Sequence, residues 1–498
     1  MVENLLLGLQ NAIMPLNFLG VAIGVVCGLA IGILPGIGSA GGVAIMIPIT
    51  YWMGPTAALC TLASLYCAAM TGCAISAILF RIPGEPASAM TVLDGYEMAK
   101  QGKAGKALGV SISGSVIGGL FSVIVLILVA PPLANVALSF GPPEYFALAC
   151  FGLSIIVSLG MGNQLKGIIS ALLGVWFVTV GIDPVLGLPR FTFGSEHLLK
   201  GIDYVPALIG IYGISEVLQN TETMADASLM YRTVKTELAT FKEIVEQKWL
   251  YLYACVLGTI IGILPGTGGT TASVMAYGDA QRFSKHPEKF GTGVIEGVLA
   301  PETANNAATG GAMVPTLTLG IPGSSTTAVI LAAMLSHGVR PGPDLFTKQA
   351  VMVNTIYWAM IFANILMAIG SLIAIRLVLK CLHIPRRILN PIILLLCVLG
   401  AYGINNSLDD VYMALILGIV GYAFQFYNFP LTPMVLGMIL GPIAEINLSK
   451  SLILLHDNFF GVFTRPISGG LMVVAILSLM YPYFRDHYLR KGVNKKAA

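Results

Sequence analysis

The sequence predicts an all-α polytopic membrane protein, and three observations lead there. Only 10% of the 498 residues are charged and 56% are hydrophobic, where soluble domains carry about 25% charge. No Asp, Glu, Lys, Arg or His occurs from Asn4 to Phe80, although about 20 apolar residues suffice for one helical span. A glycine- and proline-bearing segment near the N-terminus also returns in the second half of the chain. A water-soluble globular domain is excluded. The apolar runs are too continuous and too rich in glycine for the alternating strands of an outer-membrane barrel. A net charge of +3 gives no footing for nucleic acid.

Taken in order, the first uncharged run is followed by others over Ala107 to Pro143, Tyr145 to Leu165, Trp249 to Gly278, Gln349 to Ile375, Val411 to Ala444 and Pro466 to Phe484. Together they hold about 11–12 membrane segments, with re-entrant or broken helices besides. The N-terminus lacks the Lys or Arg of a signal-peptide n-region, so no cleavage is expected. Residues 223–248 mix basic and acidic side chains and read as a solvated cytoplasmic linker between a first repeat, 1–222, and a second repeat with a final transmembrane helix, 249–484. The basic tail 485–498 reads as a cytoplasmic membrane anchor. The eight cysteines form no CxxC pair and read as small packing residues. The six histidines include no HExxH, so no metal is expected beyond a coupling Na⁺.

The repeat is specific. Gly28-Leu-Ala-Ile-Gly-Ile-Leu-Pro-Gly-Ile-Gly38 returns as Gly258-Thr-Ile-Ile-Gly-Ile-Leu-Pro-Gly-Thr-Gly268, and Ile82-Pro83-Gly84 returns as Ile321-Pro322-Gly323. Paired Gly/Pro-interrupted segments in two halves point to a transporter built from repeats, with its site where the helices break. We place the N-terminus outside and take the GILPG segments as re-entrant hairpins. The first half then crosses near 56–80, 108–130, 144–162, 167–183 and 204–222. Five crossings invert the second half, which crosses near 290–320, 349–375, 388–404, 411–427, 431–447 and 467–484. Only Arg190, Lys200, Arg340, Lys348, Lys450 and Arg465 of the 27 basic residues then lie outside, as the positive-inside rule requires. Three full crossings in place of each hairpin and span give the same parity.

Breaks inside an apolar run free backbone groups that lipid cannot satisfy, so they persist only where protein or a watery cavity surrounds them. A helix starting at such a break offers N–H groups and partial positive charge to a carboxylate. The candidate substrate-binding residues are therefore Gly36, Gly38, Ser39, Pro83, Gly84 and Ser88 in the first half. In the second half they are Thr267, Gly268, Gly269, Thr270, Gly323, Ser324, Ser325 and Thr326. The same small and hydroxylated residues also serve close helix packing. The stretch Pro301 to Gly311 is the most polar inside an otherwise apolar span, and polar groups there are functional by default. Thr303, Asn305, Asn306 and Thr309 offer neutral oxygens to a cation such as Na⁺, and Glu302 is an alternative carrier of a coupling proton. Interhelical hydrogen bonding is the competing reading of the amides. The corresponding stretch Ser64 to Thr71 has no amide, so the halves are expected to differ in function. Arg81 reads as a cytoplasmic interface residue or as a partner for a substrate carboxylate. No GxxxxGK[ST] or GxSxG is present, which excludes a P-loop and argues against an intramembrane hydrolase.

In its GILPG and IPG repeats and its PETANNAATGG segment, the chain resembles the large membrane subunit of bacterial tripartite tricarboxylate transporters over essentially its whole length. The resemblance implies a secondary active importer, not an enzyme, in the bacterial cytoplasmic membrane. Such an importer takes citrate-like di- and tricarboxylates or other organic acids by Na⁺ or H⁺ symport. It implies as partners a small four-helix membrane subunit, a periplasmic solute-binding protein and the surrounding membrane lipid. Related transporters imply an elevator motion of a transport domain against a scaffold. The N-terminus is expected in the periplasm and the C-terminus in the cytoplasm. A passive anion channel and a membrane-embedded enzyme are the alternatives.

Overall fold

A computed structural model of the chain describes residues 2–34, 38–81, 83–159, 164–184, 187–222, 240–381 and 386–480. The protein is an all-α multi-pass membrane protein with one two-stranded ribbon, β1 (Gly181–Ile182) against β2 (Pro189–Arg190), among the described residues. The first half supplies α1 (Val2–Ile13), α2 (Pro15–Ile33), α3 (Gly38–Thr50), α4 (Pro55–Phe80), α5 (Ala89–Met98), α6 (Ala104–Ala137), α7 (Pro142–Leu159), α8 (Gln164–Val178), α9 (Tyr204–Leu208) and α10 (Ser215–Glu222). After α11 (Phe241–Glu246), the second half supplies α12 (Lys248–Ile263), α13 (Gly268–Phe283), α14 (Glu296–Leu319), α15 (Ser325–Ser336), α16 (Pro343–Lys348), α17 (Ala350–Cys381), α18 (Arg386–Asn405), α19 (Leu408–Phe426), α20 (Leu431–Leu454) and α21 (Gly461–Thr464). An apolar helix α22 (Pro466–Met480) closes the described chain.

Six of these helices are long and apolar enough to cross a membrane. Others are shorter apolar pieces, including α3, α12 and α15, because the Gly/Pro breaks cut the runs. One feature departs from the hairpin reading of the first GILPG segment: α2, which leads into it, is 19 residues long and itself of membrane length. The linker 223–239 and the tail 481–498 lie outside the described residues.

The chain forms two compact units. One comprises Met1–Asn135, Val205–Leu264 and Gly268–Tyr422 and so draws on both halves. Its core is α4 and α14. Both are buried all round, the expected state of a helix without a solvated face. The repeated glycines explain how they are enclosed. A Cβ on Gly28 would stand 2.5 Å from the Leu65 carbonyl oxygen of α4, and one on Gly262 would stand 2.5 Å from the Ala308 carbonyl oxygen of α14. Gly32 and Gly258 meet Ala69 and Ala304 in the same way. Each glycine stripe lets one backbone lie directly on another. From the middle of α5, the buried Asp94 carboxylate accepts from the amides of Gly291 (2.9 Å), Gly293 (2.8 Å) and Val294 (3.0 Å) and from Tyr277 Oη (2.9 Å), tying the α13–α14 loop to α5.

The other unit comprises Val136–Tyr204, Pro265–Thr267 and Ala423–Ala498. There α20 lies against α7 and α8, with Gly174 on the Met434 carbonyl and Gly437 on that of Ala171. Buried Glu144 accepts from Arg465 Nε at 2.7 Å.

Gly28→Val and Gly258→Val should each destabilise the protein by about 1–3 kcal/mol through overpacking. Gly54→Ala, at a position with open space around it, should be nearly neutral. Asp94→Ala should cost about 2 kcal/mol or more by stranding the buried Tyr277 hydroxyl together with three loop amides. The unfolding midpoint of the purified chain measures all four.

Candidate functional site

The breaks are built alike in the two halves. After α2 and α12 the chain turns at Gly38 (φ +64°) and Gly268 (φ +57°) to open α3 and α13, a left-handed conformation that glycine adopts without strain. After α4 and α14 it turns again at Arg81 (φ 59°) and Gly320 (φ 68°). A side chain at Arg81 makes this the costlier of the two turns. The Arg81 guanidinium lies 5.8 Å from the Tyr96 ring centroid and is exposed. Gly84 then packs on the Gly32 carbonyl and Cys73, and Gly323 packs on the Gly262 carbonyl and Ala312. Gly36 lies outside the described residues.

All four breaks meet. Ser39, in the first turn of α3, shares a 2.6 Å hydrogen bond between its Oγ and Thr326 Oγ1 at the start of α15. Its N–H and Oγ–H donate to Oε2 and Oε1 of Glu85, 3.1 Å each. Gly268 lies so close to Ser324 that a Cβ on it would stand 3.2 Å from the Ser324 Cβ. Ser324 caps α15 in a reciprocal box with Thr327, satisfying amides that lipid could not. Its Oγ also lies 3.2 Å from Tyr66 Oη of α4. Among the other expected residues, Ser88 and Thr267 are buried, and Pro83, Thr270 and Ser325 are half-buried. Ser88 Oγ has no partner among the described residues.

The polar residues of α14 are buried, but they address different helices. Glu302 accepts from Thr91 of α5. Asn306 donates to Ser115 Oγ of α6 (2.9 Å) and to the Glu302 carbonyl (3.1 Å), and accepts from Thr71 Oγ1 of α4 (3.2 Å). Thr309 donates back to the Asn306 carbonyl. Thr303 abuts Gly114 of α6, and its Oγ1 has no partner among the described residues. Asn305 turns to α13, where a Cβ on Gly269 would overlap its Oδ1, and neither polar atom of its amide has a partner among the described residues. Asn306 is therefore a structural cross-link, and Asn305 is a buried amide left unbonded.

Residues 18–436 match the tripartite tricarboxylate transporter TctA family. The chain belongs to the TctA family. It is thus a member of a transporter family. It is 38% identical to an Agrobacterium vitis protein described as an uncharacterized 52.8 kDa protein in the TAR-I ttuC' 3' region, over 96% of this chain and 95% of that one. It is also 38% identical to an uncharacterized protein in the TAR-II ttuC' 3' region of Agrobacterium vitis, over 46% of this chain and 96% of that one. No solved structure matches.

For this TctA-family chain, sequence reasoning missed Glu85, Tyr66, Thr71, Thr91 and Ser115. Glu85 had a signal, since it directly follows Pro83-Gly84 at a break. The others are single polar residues within apolar helices and give none. Asn306→Ala should cost about 1–2 kcal/mol by breaking three buried bonds. Asn305→Ala removes an unsatisfied amide and should leave the unfolding midpoint unchanged or raised.

Proposed function

We propose that the chain is the large subunit of a secondary active transporter that imports a di- or tricarboxylate, or another organic acid anion, across the bacterial inner membrane. The convergence of four helix breaks within a member of a transporter family carries this reading. In the mechanism, the two halves are inverted repeats, and the meeting point of their broken helices faces either side of the membrane by an elevator-type shift. The substrate's charge is held by helix-start amides and hydroxyls around Ser39, Gly268, Gly269, Ser324 and Thr326. A coupling Na⁺ or proton is taken near α14, where Asn305 and Thr303 hold unengaged oxygens and Glu302 is a buried carboxyl. A small four-helix membrane subunit and a periplasmic solute-binding protein complete the system. The N-terminus is periplasmic and the C-terminus cytoplasmic.

Uptake of labelled citrate and a panel of other carboxylates into vesicles holding the chain and both partners, with Na⁺ and pH gradients imposed separately, tests the proposal. The expected result is accumulation of one unchanged acid under one gradient. Passive equilibration would indicate a channel, and chemical conversion an enzyme. Asn305→Ala should abolish or uncouple uptake while leaving the folded yield intact. Wild-type uptake with wild-type ion dependence in that variant would sink the role of Asn305.

A further inference from the structure

The two helix starts that should attract an anion are not in the same state. In the first half the start of α3 is already occupied. Both oxygens of Glu85 accept from Ser39, one from its N–H and one from its Oγ–H, at 3.1 Å. Thr326 Oγ1, 2.6 Å from Ser39 Oγ, can donate to that hydroxyl and so leave its proton for Glu85. A group that only accepts, placed against converging donors, is the arrangement that suits a carboxylate. In the second half the positions matching Ser39 and Glu85 in the repeat are Gly269 and Ser324. Neither has a carboxylate, and Ser324 is spent on capping α15. Among the described residues no carboxylate is bonded to Gly268, Gly269 or Thr270, which open the 16-residue helix α13. What lies there is the Asn305 amide, fully buried and unpartnered against Gly269.

We propose that Glu85 is a resident anion. It fills the carboxylate subsite of the first half with a carboxylate of the protein's own, and it directs a substrate carboxylate to the start of α13, where the opening amides donate and the unbonded Asn305 amide lies alongside Gly269. Glu85 thereby sets how many carboxyl groups of an organic acid the site accepts. The inference rests on the reading of the breaks as an anion site. Its test needs neither transport nor a known substrate, so the two fail separately.

Glu85→Ala vacates the space of a small carboxylate while leaving Ser39 in place. The experiment compares the unfolding midpoint of the full chain in detergent in sodium formate with that in sodium chloride of equal ionic strength. Formate should raise the midpoint of Glu85→Ala saturably, by about 2 °C or more beyond its effect on the wild type. Adding Ser39→Ala should remove the gain. A formate response in Glu85→Ala no larger than in the wild type overturns the proposal. If Glu85→Ala does not fold, Glu85→Ser is read in its place. If neither accumulates, recovery of folded protein on extraction in formate supports the proposal, and no recovery overturns it. A formate response in a chain that transports nothing would keep the subsite and discard the transport reading.

Discussion

A helix interrupted inside a bilayer leaves amides and carbonyls that hydrocarbon cannot satisfy, and this fold depends on how those groups are met. The protein gathers its interruptions in one place and lets them serve one another. Ser39 answers Glu85 and Thr326, Ser324 closes the start of α15, and Tyr66 reaches Ser324 from the buried helix α4. Scattered singly along lipid-facing helices, the same breaks would each cost several kcal/mol. Brought together, they form a polar locus inside an apolar unit.

Close backbone contact makes the gathering feasible. Glycines of α2 lie on carbonyls of α4, and glycines of α12 lie on carbonyls of α14 at matching repeat positions. The two central helices are enclosed without large side chains between them and their neighbours. Gly84 and Gly323 extend the same packing into the second pair of breaks, so each turn is seated against the helix that leads to the other turn of its half. The repeated motif thus acts as a packing code as well as a place where helices end.

On this common frame the halves diverge chemically. The first half carries a carboxylate at its break, Glu85, while the second has hydroxyls and the amides of α14. Within α14 the division is finer, because Asn306 is consumed by α4 and α6 while Asn305, one residue earlier, lies against Gly269 of α13. A 100° step along the helix separates a structural amide from one free for a ligand.

The all-α membrane class, the recurring Gly/Pro motifs and the four breaks were legible in the sequence. Each is written in local pattern, as charge-free length, Gly/Pro interruption and recurrence. The pattern also placed Ser39, Gly268, Ser324 and Thr326 at helix starts. It could not say that these starts meet, nor that Glu85 already occupies one of them, because both facts join residues 46 to 287 positions apart. The Asp94 anchor and the separate facings of Thr303, Asn305 and Asn306 were hidden for the same reason. Local sequence determines where a helix in lipid must break; only tertiary packing decides which groups satisfy the break and which remain for a ligand.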